Sequence, residues 1–179
     1  RLPFSLLLSS VLALYAGSKG IKSLIILINL AFGITQERGF IQKTIRALGL
    51  TFAALVVLIV AISSIALIPL LANNFPFPQI AKTIALWSRW PVLAIIIFVS
   101  LLGLYRLAPN RDAIALKNLM PGAAVATVLW MLLSVLFSIY VQNFNNYSAE
   151  FGALSAAVVI MLWLYYSAFI IAFGAIYNY

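Results

Sequence analysis

Long apolar runs with almost no ionisable group inside them are the feature that most constrains this chain. Residues 47–71, 92–105, 121–141 and 151–176 each form such a run, and a shorter one opens the chain at residues 2–15. With 65% of its residues hydrophobic and 8% charged, a water-soluble fold would have no place for so much apolar surface. The sequence therefore reads as all-α: a polytopic transmembrane helical bundle of about five spans, the first partial, in a single membrane domain over residues 1–179. No hydrophilic stretch is long enough for a second domain.

The first run, about 21 Å of helix, is short for a crossing. It reads as part of a longer span, because Tyr15-Ala16-Gly17-Ser18-Lys19 continues into helical periodicity and does not resemble a signal-peptide processing site. Residues 18–33 place Lys19, Lys22, Ser23 and Asn29 on one side and Ile21, Leu24, Ile25 and Ile28 on the other. That pattern predicts an interfacial amphipathic helix, with Gly17 and Gly20 bending the chain out of the preceding span. Pro91 is expected in the first turn of a short span, behind an anchor of Trp87, Arg89 and Trp90. Pro121-Gly122 is expected to open the next helix.

The net charge of +8 comes from eleven Lys and Arg residues scattered between the apolar runs, not from a basic face of the kind that binds nucleic acid. They instead set orientation. If the amphipathic segment does not cross, Lys19, Lys22, Arg38, Lys43, Arg46, Arg106, Arg111 and Lys117 share one side, against Arg1, Lys82 and Arg89 on the other. The positive-inside rule then places the richer side and the C-terminus in the cytoplasm.

Chemistry is limited by what is missing. The chain has no His and no Cys, and its only acids are Glu37, Asp112 and Glu150. A histidine base, a thiolate site or a cluster of hard-metal ligands cannot be assembled easily from that set, so no catalytic, metal or cofactor residue is assigned. Glu150 has a structural role available as a first-turn carboxylate at a helix N-terminus.

Hydroxyls and amides near the apolar runs are the remaining candidates. Arg106, Tyr140, Asn143, Tyr147 and Tyr165 are the residues from which a polar pathway for a lipid or solute would be built. Trp163, Tyr166, Ser167, Ser134 and Ser138 fit either a polar lining or hydrogen bonding between helices. Gly152, Ala153 and Ala157 make the start of the last helix thin enough for close packing.

Several segments occur in a recognisable order: Ser18-Lys19-Gly20, Glu37-Arg38-Gly39-Phe40, Leu104-Tyr105-Arg106-Leu107-Ala108-Pro109-Asn110-Arg111, Pro121-Gly122-Ala123, the run from Phe137 to Phe144 with Tyr147, Leu162-Trp163-Leu164-Tyr165, and Gly174-Ala175. Together they resemble the YihY/virulence factor BrkB family of bacterial inner-membrane proteins, over nearly the whole chain. The resemblance implies about six spans, of which this chain would lack the first. Phe151 stands where the family often has Tyr, and Ile176 or its neighbour where an acid is common. Some members carry the name ribonuclease BN, but the scarcity of acids and the absence of histidine here argue against nuclease chemistry. Two functional expectations follow. One is transport or lipid handling, with membrane lipid as partner. The other is a structural or assembly role beside other membrane subunits or a second copy.

Overall fold

Each apolar run becomes a helix because a backbone in hydrocarbon must satisfy its own hydrogen bonds. The computed structural model describes residues 2–34, 39–74, 78–110, 114–144 and 148–178. They form five α-helices: α1 (Leu2–Ala31), α2 (Phe40–Asn74), α3 (Gln79–Leu107), α4 (Leu116–Phe144) and α5 (Ser148–Tyr177). All five contain a stretch long and apolar enough to cross a membrane. Each helix packs on its neighbours in chain order, and α5 closes the ring against α1 along the loosest of the five seams.

The separate interfacial helix is not formed. Residues 18–31 continue α1 without a break, and α1 is 30 residues long, about 45 Å. The first span is thus full-length, with the amphipathic segment as its inner half. Two residues on the polar side of that segment, Lys22 and Asn29, find protein instead of headgroups, while Lys19 and Ser23 are exposed. Lys22 Nζ donates to Thr44 Oγ1 on α2 (3.2 Å), and Asn29 Oδ1 accepts the Asn110 N–H (2.8 Å). Gly17 does not end the helix, and its bare backbone faces α2, where an added Cβ would sit 3.4 Å from the Thr51 methyl. One long crossing in place of a short span plus a surface helix leaves every later crossing direction unchanged.

Two prolines also lie deeper than expected. Pro91 is the thirteenth residue of α3, since residues 79–90 are helical as well, and Pro121 is the sixth residue of α4. A proline inside a membrane helix frees one carbonyl, which neighbouring groups can satisfy.

Burial is concentrated at one end of the ring. The core joins Ile25, Ile28 and Phe32 of α1, Ala47 of α2, Leu101 and Tyr105 of α3, Leu119, Ala123 and Ala126 of α4 and Ala175 of α5, with Ala108 just beyond α3. Among residues whose exposure is described, none is buried in 6–17, 52–71, 78–100, 128–142 or 157–166. The half of the bundle that holds the start of α2 and the ends of α1, α3 and α5 is packed. The other half presents its side chains outward.

Candidate functional site

The packed end is assembled from hydrogen bonds between helices. Arg46, in the second turn of α2, donates from the same guanidinium nitrogen to the Leu107 carbonyl (3.0 Å) and the Pro109 carbonyl (3.0 Å), holding the end of α3 and the turn that follows it. Lys22, Thr44, Arg46 and Leu107 therefore share one level of the bundle. Arg106 is exposed beside them. On α3, Arg106 is nineteen positions from the exposed Trp87, about 29 Å of helix, which matches a hydrocarbon layer of about 30 Å between a basic and an aromatic border.

Below this level α3, α4 and α5 make a close crossing. Tyr105 Oη donates to the Ile171 carbonyl (2.8 Å), and the Gly122 N–H donates to Asn178 Oδ1 (2.7 Å). A Cβ on Gly122 would collide with the Gly174 carbonyl and the Asn178 side chain. One on Gly174 would meet Tyr105 Oη and Ala126. Three of the sequence segments singled out above, around Tyr105, Gly122 and Gly174, thus meet at one crossing although they are far apart in the chain. Further along the same pair of helices the Trp130 indole N–H donates to Ser167 Oγ (3.1 Å), and Trp130 meets Trp163 edge to face at 5.3 Å. Ser167 and Trp163 therefore join α5 to α4. Ser134 bonds back to the Trp130 carbonyl of its own helix, and Ser138 accepts from Gln142.

The predicted polar pathway is dispersed over the bundle. Arg106 lies at the basic border. Tyr140 is twenty-four positions along α4, about 36 Å from the start of that helix, and is exposed, with its ring 6.2 Å from Phe137. Tyr165 is exposed about 18 Å from the end of α5 and contacts only the edge of Tyr166 among described ring pairs. Asn143 belongs to the last turn of α4, and its side chain lies outside the described residues, as does all of Tyr147. Glu37 and Asp112 are likewise outside them, and Glu150 is described only as the third residue of α5. Among the described residues no group of three His, Cys, Asp or Glu comes together.

Sequence reasoning missed the opening at the α1–α5 seam. A groove of about 580 Å³ is walled by Gly17, Gly20, Ile21, Ser23, Leu24 and Leu27 of α1 and by Leu164, Ser167, Ala168 and Ile171 of α5. Its size is that of a small-molecule site. Its walls are almost entirely apolar, because the Ser23 hydroxyl is turned to the Lys19 carbonyl (3.2 Å) and Ser167 to Trp130. The signal was present in the sequence: Gly17, Gly20, Leu24 and Leu27 recur at three- and four-residue steps and share a helix face. The glycines leave that face hollow.

Comparison with known proteins now adds to this geometry. The sequence pattern of the family described as Virulence factor BrkB matches residues 4–179. The chain belongs to that family. Among its relatives, the putative ribonuclease-like protein YfkH of Bacillus subtilis (strain 168) is 32% identical over 177 residues, covering 94% of this chain and 62% of YfkH. A UPF0761 membrane protein of Vibrio parahaemolyticus is 37% identical over 90 residues, 50% of this chain and 28% of that protein. Another, from Xanthomonas campestris pv. campestris (strain B100), is 36% identical over 78 residues, 44% of this chain and 18% of its own length. The chain therefore spans less than two thirds of each of these relatives. No solved structure matches it. This BrkB-family chain is a membrane protein, as its relatives' names and its five apolar helices agree.

Proposed function

We propose that this BrkB-family protein handles lipid, admitting a hydrocarbon chain from the bilayer into the seam between α1 and α5. The observation that carries the reading is the groove itself. It lies along two membrane-spanning helices, its walls are apolar, and it interrupts the loosest contact of the ring. Water gains nothing from such walls, whereas an acyl chain already in the surrounding hydrocarbon can enter without leaving an apolar medium. The same reading places the protein as one membrane domain in the bacterial inner membrane, with the basic end and the C-terminus in the cytoplasm.

Photoreactive acyl-chain lipids in reconstituted vesicles test this. Labelled peptides should concentrate in 17–27 and 164–171, and Gly20→Leu should abolish that labelling. Gly20 suits the experiment because an added Cβ meets nothing within 4 Å. Labelling spread evenly along the exposed face of α2, or unchanged by Gly20→Leu, would refute the proposal. Orientation can be read with single cysteines, since the chain has none of its own. Lys117→Cys should react with an impermeant maleimide only after the cell membrane is opened.

A second reading, an assembly subunit, is favoured by the outer half of the ring, where no described residue is buried. Purification in mild detergent with a constant set of partner chains, or as a defined oligomer, would support it over lipid handling alone.

A further inference from the structure

We propose that the α1–α5 groove takes an ester-linked glycerolipid, and that Ser167 recognises it by donating its hydroxyl hydrogen to an ester carbonyl. The inference rests on the lipid reading above and names the polar group of that lipid.

Among the described residues the buried hydroxyl side chains are those of Ser18, Thr51, Thr127 and Ser167. A serine or threonine in a membrane helix ordinarily gives its proton to a carbonyl one turn back, because no water is there to take it. The first three do so. Ser18 donates to the Tyr15 carbonyl (2.8 Å), Thr51 to that of Ala47 (2.6 Å) and Thr127 to that of Ala123 (2.7 Å). Ser167 is the exception. Its Oγ accepts the Trp130 indole N–H (3.1 Å), and among the described residues it donates to nothing.

The indole is held in place in turn. Trp163, one turn before Ser167 on α5, meets the Trp130 ring edge to face at 5.3 Å. A hydroxyl has one hydrogen and two lone pairs, so an oxygen engaged by an N–H still has its own proton to give. Two hydrogens repel, and the Ser167 proton therefore turns away from Trp130. The open space beside Ser167 is the groove, whose wall it shares with Leu164, Ala168 and Ile171 of the same helix. A donor left unpaired in hydrocarbon costs free energy, which an acceptor on the lipid removes. An apolar wall with one unused donor is complementary to a molecule that is hydrocarbon beside a carbonyl.

The position of the groove decides which carbonyl. On α1 its wall includes Ile21 and Ser23, on either side of Lys22, and Lys22 is bonded to Thr44 at the level of the Arg46 tie. The groove therefore reaches the basic border, and from there Gly17 and Leu164 carry it toward the outer half. A glycerolipid has the same layout, with its ester carbonyls between a headgroup at the border and chains that run inward. A plain hydrocarbon offers Ser167 no acceptor, and an ether-linked lipid lacks the carbonyl.

The test uses the protein in ether-linked phosphatidylcholine vesicles carrying a trace of one photoreactive probe: an ester-linked phosphatidylcholine, its ether-linked counterpart with the same chains, or an alkane. The wild type should label residues 164–171 with the ester probe in preference to the ether probe by about fivefold, the size of one neutral hydrogen bond. Ser167→Ala should bring ester labelling down to the ether level while ether labelling, the measure of an intact groove, is unchanged. Ser167→Thr, which keeps a hydroxyl, should retain the preference. The alkane should label the groove no better than the ether probe. Equal labelling by the ester and ether probes in the wild type, or a preference that survives Ser167→Ala, overturns the role of Ser167 and leaves the lipid reading standing. Alkane labelling as strong as that of the ester probe overturns the choice of a glycerolipid. Absence of groove labelling with all three probes overturns the lipid reading and this proposal with it.

Discussion

The two ends of the helical ring are built from the same kind of apolar residue and packed in opposite ways. At the basic end Tyr105, Ile28 and Leu119 are fully buried. At the other, α2 exposes Leu58, Ile59 and Ile62 by more than half. Hydrophobicity cannot explain the difference, because lipid tails are as apolar as leucine and offer helices no reason to leave them. What distinguishes the packed end is small residues and polar links between helices: Gly122 against Gly174, Tyr105 to Ile171, Arg46 to Leu107 and Pro109, Asn29 to Asn110 and Gly122 to Asn178. In the outer half hydroxyls such as Ser64 and Ser100 bond within their own helices, to Val60 and Ile96, and the bond from Trp130 to Ser167 stands at the border between the halves. Close backbone approach and bonds that cross between helices decide where this ring is tight.

The largest expected effect comes from adding one methyl group where that approach is closest. Gly122→Ala should destabilise the detergent-solubilised protein by about 3 kcal/mol, since the obstructing Gly174 carbonyl is backbone and cannot swing aside. Gly103→Ala, whose new Cβ would meet nothing within 4 Å, should be neutral or stabilise by up to about 1 kcal/mol. Thermal unfolding of the two variants side by side measures the contrast, and equal losses would remove the small-residue explanation.

Next in size is the guanidinium tie. Arg46→Gln removes a charged donor shared by two carbonyls and should cost about 2 kcal/mol. Proteolysis should then find the turn after α3 more readily. Tyr105→Phe keeps the ring in the core and loses one hydrogen bond to the Ile171 carbonyl, which should cost about 1 kcal/mol in the same unfolding assay. If both variants unfold like the wild type, cross-helix hydrogen bonds are not what holds the basic end.

The five spans were legible in the sequence because length and the absence of charge suffice to mark a helix in hydrocarbon. The continuity of α1 was not. Gly17 and Gly20 carry the same helix penalty whether they bend a chain or admit a neighbour, and only the Thr51 methyl beside Gly17 tells which. Pro91 gave an equally local signal, and the helical residues on both sides of it outweighed it. The site was legible in pieces. Tyr105, Gly122 and Gly174 stood out in separate segments, but their meeting is a fact of three dimensions. Arg106 and Tyr140 looked alike as polar residues beside apolar runs, yet the structure puts them toward opposite ends of the ring. The groove escaped notice because it is a lack of side chain, which composition does not count.

The smallest expected effect sharpens the comparison from the outer side. Ile59 is 64% exposed on α2, so Ile59→Ala removes contacts with detergent or lipid and should change the stability of the isolated chain by less than about 0.5 kcal/mol. Ile28, with 0% exposure at the packed end, should lose about 3 kcal/mol on the same truncation, because a cavity is left among atoms that cannot close over it. The informative measurement is the Ile59 variant in two environments. If α2 faces only lipid, its truncation is silent in harsh and mild detergent alike. If a second copy or another subunit covers α2 in the native membrane, the loss appears in the mild detergent that preserves the assembly and disappears where the chain is alone. A large loss in both would mean that the outer half is packed within the chain after all, and the contrast between the two ends would fail.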